Sequence, residues 1–305
     1  MFLNIDIVVC EIIRIPIYIP IRLAVYLSSL YNYLIEVFDM NRTEMRNPAS
    51  MHLDEMSTLE MVRLINSEYG KITAAVDAAS GKIAEACDAV SDTVRNGGHV
   101  FYIGAGTSGR LGVLDASEIP PTFGADPSLF VGVIAGGDSA LRKSSEGAED
   151  IAEWGAKDLR EHGFAAGDIL VGISASGGPA YVLGAMEYAK SLGAKTVSIT
   201  NNFGSRMEAA ADIAVVVDTG EEVLTGSTRM KAGTAQKIVL NILSTVAMVE
   251  NGNVCENLMI NLKPTNIKLR ARMIRIVKDL SGADDETAEK MLEASGWNIR
   301  KAVGK

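Results

Sequence analysis

Glu118 stands ten residues beyond Ser108 in the stretch Tyr102-Ile-Gly-Ala-Gly-Thr-Ser-Gly-Arg-Leu-Gly-Val-Leu-Asp-Ala-Ser-Glu-Ile-Pro-Pro121. One segment therefore pairs a Gly/Ser/Thr loop with a carboxylate fit for acid–base work. The loop follows an apolar run and opens a helix, whose first N–H groups and positive dipole end suit a phosphate or another anion. The same loop fits the dinucleotide pattern Gly104-x-Gly106-x-x-Gly109. That reading needs a ribose-binding acid at the end of the next strand, roughly 20 residues on. The next apolar run, Leu129–Ile134, leads into Ala135-Gly136-Gly137, and Asp138 comes too late. The hydroxyls of Thr107 and Ser108 point instead to a sugar phosphate.

A second loop, Ser174-Ala-Ser-Gly-Gly-Pro179, repeats this logic with Ser174, Ser176 and Gly177 between an apolar run and a helix. Either loop alone reads as a turn. Two at neighbouring strand ends favour anion binding. Glu146 and Glu149 are spaced as neighbours on a helix. By spacing alone they form a solvated acidic face. A pocket-facing glutamate would become an acid or base if burial raised its pKa toward neutral. The stretch Thr225-Gly-Ser-Thr-Arg-Met-Lys-Ala-Gly-Thr-Ala-Gln-Lys237 leads into a long helix. Ser227 and Thr228 are candidate caps. Arg229 and Lys231 oppose the dipole there, at about 0.3–1 kcal/mol each, and an anionic ligand would relieve that conflict.

The elements that must position these residues follow from periodicity. Ser57-Thr-Leu-Glu60 is a capping box opening a helix through Glu68. A second helix is expected from Lys71 to Asn96, with a break at Gly81. Strands are expected at Val100–Ile103, Leu129–Ile134, Ile169–Ile173, Thr196–Thr200 and Ile213–Val217, with helices between them and a long helix over Thr228–Glu250. This alternation gives an α/β fold with a doubly wound, mostly parallel five-stranded sheet flanked by helices. Ligands of such sheets sit at the carboxyl ends of the strands. The loops Gly104–Gly109, Ala135–Asp138 and Ser174–Gly178 should therefore converge on one pocket. After Leu262 come a basic amphipathic helix, Lys268–Leu280, and two short helices split at Gly296. The domain reading is residues 1–39 as an atypical extension, 40–262 as the sugar-phosphate domain and 263–305 as a helical appendage.

The chain has 305 residues and a net charge of −9, with no basic stripe to neutralise nucleic-acid phosphates. Cys10, Cys87 and Cys255 are far apart, as are His52, His99 and His162. Neither set has metal-ligand spacing, and the thiols suit a reducing cytoplasm. Residues 1–39 are rich in isoleucine but interrupted by Asp6, Glu11, Arg14, Pro16 and Pro20. They contain no uninterrupted window of the ~20 apolar residues a spanning helix needs, and do not follow the order of a signal peptide. An amphipathic anchor is the minor reading and membrane attachment is not expected. The leading expectation is a start assigned too far upstream, because Met40 opens a run typical of a soluble N-terminus.

From Arg42 onward the chain resembles the N-acetylmuramic acid 6-phosphate etherases, a sugar-isomerase (SIS) domain family. The resemblance rests on Thr43-Glu-Met-Arg-Asn-Pro48, Leu53-Asp-x-x-Ser-Thr-Leu-Glu60, Ile103-Gly-Ala-Gly-Thr-Ser-Gly-Arg-Leu111, Leu114-Asp-Ala-Ser-Glu118 with Pro120-Pro121, Ile134-Ala-Gly-Gly137, Glu146-Gly-Ala-Glu-Asp150 and Gly226–Lys237. The appendage is similar to the family's UBA-like tail.

The resemblance implies conversion of N-acetylmuramic acid 6-phosphate and water to N-acetylglucosamine 6-phosphate and D-lactate, without metal or cofactor. It gives catalytic roles to Glu118, as acid toward departing lactate and then base toward water, and to Glu149, as the C2 base. This replaces the reading of Glu149 as a solvated face. It places sugar phosphate among Ser174, Ser176, Gly177 and nearby N–H groups, with Thr107, Ser108 and Ser227 lining the pocket. Beyond what the resemblance implies, their charge makes Arg229 or Lys231 the expected partner of the lactyl carboxylate. A homodimer is implied as well. There are three departures: Gly178 and Pro179 replace the family's x-Thr, residues 1–39 lack a counterpart, and the tail ends early. The rival is a non-catalytic sugar-phosphate sensor like the glucokinase regulatory protein, although that protein carries two SIS domains. An aldose–ketose isomerase is a third reading, disfavoured by the Asp115–Glu118 and Glu146–Asp150 segments.

Overall fold

The structure, a computed structural model, describes residues 2–8, 14–20, 41–143, 145 and 147–304. Met40, Glu146 and much of the N-terminal extension lie outside the described residues. Two strands within the extension, β1 (Phe2–Val8) and β2 (Arg14–Pro20), pair antiparallel.

The capping box forms. Ser57 Oγ accepts from the Glu60 N–H and the Glu60 carboxylate accepts from the Ser57 N–H at 2.8 Å. Helix α1 then runs through Thr58–Ala78, past the expected stop at Glu68. Gly70 meets no crowding there and is tolerated within the helix. The break before α2 (Ser80–Arg95) falls at Ala79, not at Gly81.

Five parallel strands follow: β3 (Val100–Gly104), β4 (Phe130–Ile134), β5 (Ile169–Ile173), β6 (Lys195–Thr200) and β7 (Ile213–Val216). Their order is β4-β3-β5-β6-β7, with Val100 in register with both Phe130 and Ile169. The central strands β3 and β5 are buried throughout, as expected of a parallel sheet covered on both faces. Alternation in β3 sends Val100 and Tyr102 into one core and Phe101 and Ile103 into the other.

On the first face lie α1, α2, α3 (Gly106–Phe123) and α7 (Lys231–Glu250). On the second lie α4 (Ala152–Glu161), α5 (Ala180–Ser191) and α6 (Arg206–Ala210). Among the described residues α7 alone is long and apolar enough to cross a membrane. Here it is a core helix packed on α1, α2 and α3.

The segment 41–56 crosses the carboxyl ends of the strands. The Thr43 N–H donates to Asn202 Oδ1 at 3.3 Å, and Asn202 Nδ2 donates to Thr43 Oγ1 and to the Ala175 carbonyl. Arg42 pairs with Asp218 and Glu221. Beyond a two-residue ladder of β8 (Val254–Cys255) and β9 (Leu258–Met259), helices α8 (Ile267–Ser281), α9 (Asp285–Ala294) and α10 (Ile299–Val303) enclose a small core of their own, including Met273, Val277, Leu292 and Ile299.

Candidate active site

The first glycine loop is built by close approach of its own backbone. A Cβ on Gly109 would lie 2.5 Å from the Gly104 carbonyl oxygen, and one on Gly104 would lie 2.7 Å from the Gly109 nitrogen. Only glycine allows this fold-back, which turns β3 directly into α3. No side chain caps α3 at Ala105. Its first N–H groups are therefore open to an anion.

Beside this helix start is a cavity of about 180 Å³ lined by Ala105, Gly106, Arg110, Ala135, Ala140, Ser145, Gly147 and Glu149. Glu149 lies on a short 3-10 turn, Ala148–Asp150, rather than on the α-helix its spacing implied. Arg110 folds back over the next loop and donates to the Ala140 carbonyl at 2.7 Å and the Leu141 carbonyl at 3.2 Å. That clamp ties the loop leading to Glu149 onto the anion cradle. The loops after β3 and β4 thus converge as expected.

The Ser174–Gly178 loop does not line this cavity. Its hydroxyls organise the loop itself: Ser174 Oγ accepts from the Gly177 N–H at 3.1 Å and Ser176 Oγ from the Gly178 N–H at 3.3 Å. Gly177 has φ +69°, and a Cβ there would lie 2.4 Å from Ser205. The two hydroxyl oxygens also lie 3.4 Å apart, where one donates to the other, so one hydroxyl proton of the pair stays available.

Glu118 takes a different position. It is exposed on α3, as is Leu114 one turn earlier. At 1.5 Å per residue it lies about 18 Å along the axis from Gly106. Among the described residues, Glu118 does not line the cavity that Glu149 lines. The buried side of α3 is fixed by Asp115, whose Oδ1 accepts from Asn241 Nδ2 at 2.5 Å and Ser244 Oγ at 3.3 Å on α7. Burial pushes the Asp115 carboxyl up, against the pull of these hydrogen bonds. Burial, and then the adjacent Asp115, hold Tyr102 well above the usual tyrosine range.

Two sequence-derived contact residues are internal. Ser108 is buried and its hydroxyl donates to Gln236 Oε1 at 2.9 Å, while Gln236 Nε2 donates to Asn201 Oδ1. Its hydroxyl proton is thus committed, and its backbone N–H, in the first turn of α3, is the donor left for a ligand. Lys231 is 1 % exposed and its Nζ lies 2.7 Å from Glu68 Oε2. It therefore does not meet a lactyl carboxylate. The caps were also misplaced: α7 starts at Lys231, and Glu222, not Ser227 or Thr228, accepts from its first N–H groups. Thr107 packs its methyl toward Gly233 at the start of α7. Ser227 is half-buried in a turn and Arg229 is exposed.

Residues 82–190 match the model of the glucokinase regulatory protein N-terminal SIS domain, and residues 163–246 match the SIS domain. The chain is 51 % identical over 261 residues to an N-acetylmuramic acid 6-phosphate etherase of Actinobacillus pleuropneumoniae serotype 5b, covering 86 % of each chain. It is 49 % identical over 267 residues to one from Symbiobacterium thermophilum, covering 87 % of this chain and 89 % of the relative. A phosphoheptose isomerase from Francisella tularensis overlays with a TM-score of 0.49 and 23 % identity, over 63 % of this chain and 98 % of that one.

Proposed function

The chain belongs to the N-acetylmuramic acid 6-phosphate etherase family, and on that premise we propose how its residues divide the work of releasing D-lactate from N-acetylmuramic acid 6-phosphate in cell-wall sugar recycling. In the ring-opened sugar the aldehyde acidifies the C2 proton. Glu149 removes that proton, and the C3–oxygen bond breaks as Glu118 protonates the departing lactate. Glu118, now a carboxylate, takes a proton from water, whose oxygen adds at C3 of the unsaturated aldehyde while protonated Glu149 returns a proton to C2, giving N-acetylglucosamine 6-phosphate and restoring both carboxyls. The observation that carries this reading is the placement of Glu149 in a cavity shared with the uncapped start of α3.

In this reading the phosphate sits against the N–H groups that begin α3 and the hydroxyls of Ser174 and Ser176, with Gly177 giving the loop its turn and Thr107 and Ser227 bordering the pocket. Arg229, exposed on its loop, is the remaining cation for the lactyl carboxylate. The separation of Glu118 from Glu149 within one chain calls for a homodimer in which each carboxylate meets the other copy's partner. Exposed Leu114 beside Glu118 and exposed Val249 on α7, with the half-buried Ile238, Ile242 and Val246 between them and the core, supply apolar surface for such a contact. The absence of metal-type spacing in the sequence fits chemistry run by two carboxylates, and the buried Cys87 thiol suits a cytoplasmic setting.

The experiment is to follow D-lactate release and run the reaction in D2O. Deuterium at C2 of the product accompanies turnover by elimination and hydration. A folded chain that binds the sugar phosphate but releases no lactate is a sensor, and the etherase reading fails.

A further inference from the structure

We propose that Glu222 and Lys231 form a clasp that holds the loop 223–230 in its binding geometry, and that both act as positioning residues for sugar-phosphate affinity. The proposal rests on the etherase reading for its substrate, but its structural basis is independent of it. Glu222 is fully buried, and both its oxygens are committed across the base of the loop. Oε2 accepts from the Lys231 N–H at 3.0 Å and Oε1 from the Ala232 N–H at 2.9 Å. The carboxylate thereby takes the place at the start of α7 that a ligand anion would take. Lys231 closes the other side through Glu68, whose remaining bonds come from Asn47 Nδ2 at 2.9 Å and Lys71 Nζ at 2.6 Å.

Within the loop, Val223 alone is buried; Leu224, Thr225 and Arg229 are exposed and the rest half-buried. So little apolar burial would leave such a segment prone to local opening. What restrains it is polar: the Gly226 N–H on the Thr43 carbonyl at 3.3 Å, the turn bonds around Ser227, and the Glu222–Lys231 base. Opening the base would strand a buried carboxylate and two buried N–H groups, which is costly. The loop carries Ser227 and Arg229, and α7 beyond it meets Thr107 of the first glycine loop. Loss of the clasp therefore loosens contacts to bound substrate and leaves Glu118 and Glu149 in place.

The test uses the full chain with Glu222→Gln, and with Lys231→Met alone and combined with Glu68→Gln. A carboxamide keeps one acceptor but turns an NH2 toward a backbone donor. For Glu222→Gln, KM for N-acetylmuramic acid 6-phosphate should rise about tenfold with kcat within about threefold. Hydrogen exchange should quicken within 223–230 and stay unchanged in β3 and β5. The double variant, which removes both buried charges together, should exchange more slowly in the loop than Lys231→Met. Unchanged exchange in 223–230 overturns the clasp, whatever the activity. A fall in kcat at constant KM overturns its assignment to affinity. Absence of turnover in the parent sinks the etherase reading, and the exchange measurement still decides the clasp.

Discussion

Helices α3 and α7 both follow a Gly/Ser/Thr-rich loop and both begin near the carboxyl ends of the strands, yet their starts are in opposite electrostatic states. The α3 start has no side-chain cap and opens beside the Glu149 cavity. The α7 start is filled by the chain's own Glu222, with Lys231 neutralised by Glu68. Similar local sequence thus yields one helix end free for a ligand and one used to brace a loop. The deciding residues lie elsewhere in the chain.

The largest expected effect breaks the braced end. Lys231→Met should cost about 3 kcal/mol in urea unfolding, because it leaves Glu68 buried with less charge compensation. A cost under about 1 kcal/mol would mean that the α7 start is not held by this pair. At the open end, Gly109→Ala should cost about 1–3 kcal/mol, since its Cβ would press on the Gly104 carbonyl, and should weaken sugar-phosphate binding by calorimetry. Gly233→Ala at the braced end meets the Thr107 methyl and the Thr228 carbonyl oxygen, both at 3.2 Å, a looser fit than at Gly109, and should stay within about 1 kcal/mol.

Ser108→Ala comes next, with an expected cost of about 1–2 kcal/mol as buried Gln236 loses its donor. Equal stability in thermal melts would place Ser108 outside this core network.

The smallest effects are in pH dependence and have opposite signs. At Glu68, burial pushes the pKa up, but Lys231, Lys71 and Asn47 outweigh it and hold the group below its ordinary 4.5. Its contribution is present above 4.5 and is lost as pH falls through the folded value. Asp115 is held above 3.8 by burial, so its contribution is present below 3.8 and is lost as pH rises through its folded value. Urea midpoints across the acid range should show Glu68→Gln flattening the loss toward low pH. Asp115→Asn should flatten the opposite trend.

Local pattern made the sheet, the capping box and the Gly104–Gly109 cradle legible, because each depends on neighbours in sequence. It also placed strand boundaries within about a residue or two, the usual fraying of such limits. The site's polar wiring was not legible. Ser108 meets Gln236 across 128 positions and Lys231 meets Glu68 across 163, and no spacing rule reaches that far. The cap at α7 was misassigned for the same reason: Ser227 and Thr228 are the right residue types, but a carboxylate from before the loop arrives instead. Glu149 was read from spacing as part of a solvated face, and it is indeed exposed, yet it also lines the cavity beside the α3 start, which spacing alone did not show. Neither spacing nor the family motif showed that Glu118 and Glu149 stand apart within one chain.

That separation makes a mixing experiment the most direct test of the account. Glu118→Ala and Glu149→Ala chains are assayed for D-lactate release from N-acetylmuramic acid 6-phosphate, first singly and then after co-expression. Each alone should be nearly inactive. The mixture should regain about a quarter of parental activity, since half of the random pairs carry one intact site out of two. A mixture as inactive as its components, from chains shown to pair, would contradict a site shared between copies. Full activity in either single variant would remove that glutamate from the chemistry.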